Sequence, residues 1–171
     1  MAVMVDLQQA CEGNVPDTQL IQQWAESALK QVKEDCELSI RLVDESESAE
    51  LNETYRGKVG PTNVLSFPFD TEIELTPILL GDLVICVPVV EREAKAQSKL
   101  SEHHWAHMVI HGCLHLLGFD HIDDADAVEM ETLETDILRS LAIKDPYQVQ
   151  GNDIRVRDSR VGPNYYRGRK G

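Results

Sequence analysis

The chain has 171 residues, which is the usual size of one domain and enough to bury a core without disulfides. Apolar residues make up 42% of the sequence, but no run approaches the roughly 20 residues that span a bilayer, and the N-terminus lacks the basic residues of a secretory or transit signal. We therefore expect a soluble, cytoplasmic protein without a membrane partner, and the net charge of −14 by itself argues against nucleic acid as a ligand, DNA included.

Apolar periodicity predicts one α+β domain, with a mixed sheet of about four strands packed with about five helices. In the first half of the chain the predicted elements are a strand over 3–7, a helix over 16–33, a strand over 37–43 and a helix capped by Ser46 or Ser48 that ends near Gly57. Strands over 63–67 and 79–87 follow. The remaining elements are a helix over 88–100, a helix capped by Ser101 that ends at Leu117, and a helix over 124–141. The last helix is expected to pack through Met130, Leu133, Ile137 and Leu141.

The two ends of the chain differ in charge. Residues 147–171 hold six basic and two acidic residues, so this segment carries +4 and residues 1–146 carry −18. We predict a domain over 1–146 and a basic, disordered tail over 147–171, whose basic side chains either form a contact surface or are simply solvated. An acidic enzyme can still act on a polyanion where its cleft holds a metal ion, although a partner would then have to deliver the substrate.

Four widely spaced cysteines form no CxxC pair, which predicts reduced, buried thiols in a reducing compartment.

Histidines are concentrated in one segment of the sequence. On a helix His104, His107, His111 and His115 fall on one stripe, and residues four apart can bind one ion. A turn at Gly118 would let His121 supply a third nitrogen. Three histidines and a water are typical of an open catalytic site, so we predict one divalent ion, Zn²⁺, bound by His111, His115 and His121.

The spacing H-x3-H-x2-G-x2-H is also the ligand pattern of the metzincin proteases. Zinc proteases place a glutamate directly after the first histidine as the general base. Gly112 occupies that position here and cannot accept a proton. A metalloprotease therefore remains only as an alternative, and Met130 is interpreted as a core residue of the last helix rather than as a Met-turn.

Two further side chains could support the metal ligands. His107 lies one turn before His111, where it would either contact the site or be a partly exposed helix residue. Asp120 could orient a ligand histidine through its second ring nitrogen, or it could cap the turn. His104 is predicted to lie at the surface.

Four segments together carry a recognisable pattern: YRGKVGPTNVLSFP at 55–68, LGDLVI at 80–85, the histidine motif at 107–121 and the acidic helix that contains Glu129, Glu131 and Glu134. They resemble the signatures of the YbeY endoribonucleases, and the similarity extends over residues 3–143. The resemblance implies a metal-dependent, single-strand-specific endoribonuclease that matures the 3′ end of 16S rRNA and acts in ribosome quality control. It implies His111, His115 and His121 as metal ligands, Arg56 as the remaining functional side chain, and ribosomal RNA and the ribosome or its small-subunit assembly proteins as partners.

The chemistry of Arg56 agrees with that implication, because a guanidinium fork suits phosphate oxygens. A third hypothesis is an assembly factor without catalysis, whose metal only stabilises the fold. Structural zinc usually has four protein ligands, and Cys113 lies on the opposite side of the helix from His111 and His115.

Overall fold

A computed structural model describes residues 2–69, 77–119 and 123–147 of the chain. Within these ranges the chain forms four strands and five helices. Their order is β1 (Val3–Gln9), α1 (Thr18–Ala28), β2 (Cys36–Val43), α2 (Glu45–Arg56), β3 (Val64–Pro68), β4 (Ile78–Cys86), α3 (Val87–Ala96), α4 (Ser101–Leu116) and α5 (Asp124–Ser140). The predicted α+β class is confirmed. The predicted tail from residue 148 onward lies outside the described residues.

The four strands form one mixed sheet in the order β1-β2-β4-β3. The pairs β1–β2 and β2–β4 are parallel, and β3 runs antiparallel to β4. Leu38, Ile40 and Leu42 alternate inward on β2, as the sequence predicts, and they belong to the main core. A smaller apolar cluster that includes Leu65 and Val84 lies apart from this core, with Leu51 of α2 packed against it.

Gly81 allows a close approach between β3 and β4. Its φ of +144° is one that other residues rarely adopt, and an added Cβ would lie 2.3 Å from the carbonyl oxygen of Phe67 and 2.9 Å from Cδ2 of Leu116. Gly81 therefore joins three elements, because Phe67 belongs to β3 and Leu116 ends α4.

Helix α4 is the central helix of the molecule. It contacts α1, α3, α5, β3 and β4, and every residue from His104 to Leu116 is buried. The sequence predicts a packing side and an imidazole side for this helix. Both sides are in fact covered by protein from His104 onward, so His104, His107, His111 and His115 lie inside the fold.

Two of the predicted helix caps are wrong. The Asp44 side chain, rather than Ser46 or Ser48, caps α2 by accepting a hydrogen bond from the Glu47 amide. The Ser48 hydroxyl is instead buried and binds the main chain of Thr62. Ser101 is the first residue of α4, Leu100 stands at the N-cap without a side-chain cap, and the Ser101 hydroxyl donates to Glu91 instead of accepting from a first-turn amide.

The buried face of α5 also differs from the prediction. Its buried residues are Ala127, Met130, Glu134 and Leu138, whereas Leu133, Ile137 and Leu141 are only partly buried at the edge of the core. Met130 is a core residue, as expected. A carboxylate therefore occupies the middle of the buried stripe. No helix in the described part of the chain combines the length and apolarity needed to span a membrane.

Candidate metal centre

Helix α4 carries a row of imidazole rings through the protein interior. The ring centroids of His104 and His107 are 6.2 Å apart, those of His107 and His111 are 6.0 Å apart, and those of His111 and His115 are 4.5 Å apart. Spacings of three and four residues place these rings on one helix face, as predicted. The predicted exposure of His104 is wrong, because it is only 1% exposed.

A carboxylate explains how His104 is accommodated in the interior. Its Nε2 lies 2.9 Å from Oε1 of Glu93 on α3. The Asn63 amide donates to both oxygens of the same carboxylate, at 3.1 and 3.2 Å. These hydrogen bonds link α3 and α4 to Asn63, the residue that precedes β3. They give His104 Nε2 a partner in the interior, where helix periodicity alone would predict exposure to solvent.

Glu134 of α5 lies between the next two rings and is fully buried. Its Oε1 lies 2.9 Å from His107 Nε2, and its Oε2 forms a short hydrogen bond with His111 Nδ1. Burial alone opposes ionisation, but the adjacent His111 and the hydrogen bond from His107 outweigh it and hold the pKa of Glu134 well below its usual range. An ionised carboxylate only accepts hydrogen bonds, so both imidazoles must donate to it.

His107 is therefore a neutral, buried partner of the carboxylate. Burial lowers the pKa of His107, and its ring is 4% exposed. Of the two interpretations that the sequence allows, the one as a partly exposed residue is wrong. The ring donates from Nε2 to Glu134, and no described group forms a hydrogen bond with its buried Nδ1.

Tyr147 completes this cluster from a position that the sequence assigns to the tail. Its hydroxyl donates a short hydrogen bond to Oε1 of Glu134 and lies 3.3 Å from His107 Nε2. Burial and the charge of Glu134 raise the pKa of Tyr147, so the hydroxyl remains a donor. Tyr147 thus connects the first residue of the predicted tail to the buried carboxylate.

The Nε2 atoms of His111 and His115 face each other at a distance of 2.8 Å. Since Nδ1 of His111 donates to Glu134, the His111 Nε2 carries a lone pair directed at His115. Two ligand nitrogens on a tetrahedral zinc ion lie about 3.3 Å apart, given metal–nitrogen bonds of about 2.0–2.1 Å. A small side-chain adjustment would therefore let this pair hold an ion, and the donor chemistry fits a divalent metal.

The predicted third ligand, His121, and the predicted supporting residue Asp120 both lie outside the described residues. Within them, His107, His111 and Glu134 form a group that could hold a metal ion, since their donor atoms lie within 4.8 Å of one another. His111 belongs to both groups. It faces His115 through Nε2 and Glu134 through Nδ1.

Gly112 has a packing role that explains the missing protease base. A Cβ at this position would lie 2.8 and 2.9 Å from the two Cδ atoms of Leu83 on β4. Position 112 thus faces the sheet, and glycine there lets α4 lie close to β4. Cys113 is also buried in the core, where burial raises its pKa, so the thiol is a poor fourth ligand.

Arg56 is the last residue of α2, and Gly57 ends the helix in the left-handed conformation. Its Nη1 is buried without a hydrogen-bond partner among the described residues, and burial lowers the pKa of the guanidinium. The adjacent Tyr55 ring packs edge-on against Phe67, at a centroid distance of 5.3 Å. Phe67 meets Gly81, which lies beside Leu116, so these contacts connect the end of α2 to the end of α4 next to His115.

One feature of the sequence identifies Glu134 as a residue with a buried partner. Met130, Glu134 and Leu138 are spaced by four residues, so an acidic side chain stands between two apolar residues on the same helix face. A charge in that position requires a buried partner. No comparable signal identifies Tyr147.

Comparisons with known proteins agree with this architecture. The family model described as endoribonuclease YbeY matches residues 7–142. Among solved structures, the chain is similar to the solution structure of TM1509 from Thermotoga maritima, with a TM-score of 0.54 and 26% identity. That match covers 81% of this chain and 92% of the other. The chain therefore belongs to the YbeY family of metal-dependent endoribonucleases, hydrolases that act in ribosomal RNA processing.

Proposed function

We propose that this endoribonuclease cleaves single-stranded RNA and matures the 3′ end of 16S rRNA in the cytoplasm, where it also acts in ribosome quality control. The single observation that carries the proposal is the facing pair of imidazole nitrogens on a buried helix. A structural metal would need further protein ligands, and the nearest thiol, Cys113, lies in the core. An open coordination position suits catalysis.

In this proposal His111, His115 and His121 hold one Zn²⁺ ion. The assignment is supported by the short distance between His111 and His115 and by the sequence motif that places His121 after Gly118. When bound, the ion supplies a Lewis acid that stabilises negative charge on the phosphoryl oxygens. The burial of α4 keeps bulk water away from His111 and His115, which strengthens their electrostatic effect.

Arg56 is proposed to bind the phosphodiester. Its buried Nη1 is a charged donor that lacks a described partner, and a buried donor without an acceptor is costly unless a ligand supplies one. A phosphate oxygen is the acceptor that a guanidinium fork fits best. Arg56 would then orient the scissile phosphodiester and offset its negative charge, while the histidines hold the metal ion.

The acidic body of the protein bears on how RNA reaches this site. Residues 1–146 carry a net charge of −18, so long RNA is repelled except near local cations. We infer that the ribosome or a small-subunit assembly protein delivers the RNA strand. Tight binding of free RNA by the purified protein would contradict this inference.

The proposal is tested by incubating a labelled single-stranded 16S rRNA 3′ fragment with wild-type protein and with His111→Ala. The metal content of both samples is measured at the same time. We expect cleavage by the wild type, and loss of both metal and cleavage in the variant. His103→Ala serves as the control, because His103 lies on the same helix but is not fully buried. Metal-loaded wild type that cleaves neither free fragment nor ribosome-bound RNA would refute the proposal.

A further inference from the structure

We propose that Glu134 is the positioning residue of the metal site: it fixes the ring orientation and tautomer of His111, and Tyr147 and His107 hold its carboxylate in place. The inference rests on the proposed role of His111 as a metal ligand and adds to it a buried carboxylate on another helix. It also assigns a function to Tyr147, which lies 40 residues along the chain from His107.

The two oxygens of Glu134 have separate partners. Oε2 accepts from Nδ1 of His111, and Oε1 accepts from Nε2 of His107 and from the Tyr147 hydroxyl. Each oxygen therefore has at least one donor, and the fully buried carboxylate is satisfied without solvent. The carboxylate cannot rotate without breaking hydrogen bonds on both sides, so it defines a fixed direction for the His111 N–H.

This direction determines which nitrogen of His111 can bind a metal. A neutral imidazole carries one proton, and a carboxylate at Nδ1 keeps the proton there. Nε2 is then unprotonated and faces Nε2 of His115. A ligand histidine whose second nitrogen donates to a carboxylate is a common arrangement in zinc sites, where it sets the tautomer and raises the basicity of the ligand.

Glu134 is better explained as a support for the ligand than as a ligand itself. Its oxygens are engaged by three protein donors, and its contact with His111 is at Nδ1, not at the nitrogen that faces His115. A metal bound among His107, His111 and Glu134 would displace these hydrogen bonds and require the proton of His111 to leave Nδ1. The hydrogen-bonded arrangement needs no such change.

Glu134→Gln tests the role with almost no change in size. An amide has one accepting oxygen and one donating nitrogen, while Glu134 faces donors on both sides. Either the amide nitrogen faces His111, which moves the imidazole proton to Nε2, or it faces His107 and Tyr147 and disrupts their hydrogen bonds. We expect Zn²⁺ affinity, measured by competition with a chromophoric chelator, to fall about 10- to 100-fold.

The matched control is Glu129→Gln. Glu129 is exposed on the same helix, so the change in charge is identical but does not reach the site. Its Zn²⁺ affinity should equal that of the wild type. Equal affinities of the Glu134→Gln and Glu129→Gln variants would overturn the proposal.

A second variant and a spectroscopic measurement decide the matter if Glu134→Gln fails to fold. Tyr147→Phe removes one donor to Oε1 and keeps the ring, so we expect Zn²⁺ affinity to fall about three- to tenfold. In metal-free wild type, ¹⁵N chemical shifts should show the His111 proton on Nδ1. A proton on Nε2 in that spectrum, or unchanged affinity in folded Tyr147→Phe, would refute the proposal.

These readouts separate the inference from the proposed function, because none of them requires RNA cleavage. Weaker Zn²⁺ binding in Glu134→Gln supports the positioning role even in a protein that cleaves no RNA. Conversely, RNA cleavage by a protein whose Zn²⁺ affinity is insensitive to Glu134 would leave the proposed function intact and overturn the inference.

Discussion

Arg56 illustrates how a single side chain can be held ready for an anionic ligand. It is the last residue of α2, just before the left-handed Gly57, and its side chain is partly buried. Its Nη1 is buried without a partner in the described part of the chain. Arginine stays charged even where burial lowers its pKa, so an anion is the natural complement of this group.

Replacing Arg56 should therefore impair catalysis and leave the metal in place. We expect Arg56→Ala to reduce the rate of RNA cleavage by about 100-fold, the usual effect of removing one donor to developing charge. Arg56→Lys should restore only part of the rate, because it keeps the charge but loses the fork. The measurement is single-turnover cleavage at saturating protein, with metal content determined in parallel.

Lys58→Ala is the control for a general loss of positive charge, since Lys58 is exposed two residues away. Loss of the metal from Arg56→Ala, or an equal loss of rate in Lys58→Ala, would contradict a role for Arg56 on the substrate side.

Individual residues of the candidate site differ in how well the sequence predicts them. His111 and His115 are identifiable because residues four apart share a helix face, a purely local relation. His104 appears exposed from its polarity alone, because its partner Glu93 lies on another helix and no local pattern links the two. Glu134 and Tyr147 are missed as parts of the site for the same reason.

Helix α2 shows which features of an element can be read locally. Asp44, Ser46 and Ser48 are all good capping residues, and they compete within five positions. The fold selects Asp44, because Ser48 is drawn inward to bind both the amide and the carbonyl of Thr62 at 3.0 Å. The existence of the helix is thus predictable, while its first residue depends on a tertiary contact.

The choice of Asp44 as the N-cap can be tested by measuring the free energy of unfolding. We expect Asp44→Ala to lower the free energy of unfolding by about 1 kcal/mol, the usual cost of losing an N-cap. Ser46→Ala should change it by less than about 0.5 kcal/mol, because Ser46 is exposed and does not cap the helix. Urea unfolding of the metal-free proteins gives both values. A larger loss in Ser46→Ala than in Asp44→Ala would place the cap at Ser46.

Helix ends are the less predictable part of the other elements as well. The sequence predicts α1 as far as residue 33, since Val32 continues its apolar stripe. The helix ends at Ala28, and Val32 packs against the core from the connection that leads to β2. An apolar side chain can reach the core from a loop as well as from a helix, so periodicity alone overestimates the length of α1.

In the molecule as a whole, the protein interior controls the chemistry of the cysteines. All four are free thiols, as predicted, and Cys36, Cys86 and Cys113 are buried, whereas Cys11 is half-buried. Burial raises the pKa of all four thiols, Cys11 included. The reactive species is the thiolate, and what distinguishes Cys36, Cys86 and Cys113 from Cys11 is the core that covers them.

We therefore expect the native protein to react with a disulfide reagent at Cys11 alone. At pH 8, titration should modify one thiol per folded chain, and all four thiols in guanidinium chloride. Cys11→Ser should abolish the native reaction. More than one thiol modified in the folded wild type would show that the core opens more readily than its burial indicates.

The metal centre draws its parts from distant positions along the chain. His111 and Glu134 are 23 residues apart, and Glu134 and Tyr147 are a further 13 apart. The fold class can be predicted from the apolar periodicity of the strands and helices. The contact between α4, α5 and Tyr147 depends instead on how whole elements pack. Sequence patterns therefore identify the histidine-bearing helix α4 and leave its buried carboxylate partner Glu134 unassigned.

The order of the histidines, Glu134 and Tyr147 along the chain determines when the site can form during translation. A ribosome that has translated α4 has already made His107, His111 and His115, but it has yet to make Glu134 and Tyr147. Until α5 emerges, the nascent helix carries its imidazoles without the carboxylate that fixes the proton of His111. Maturation of the metal centre is therefore tied to the final steps of folding, and a nascent chain that stalls before residue 134 holds the histidines of α4 in an unfinished site.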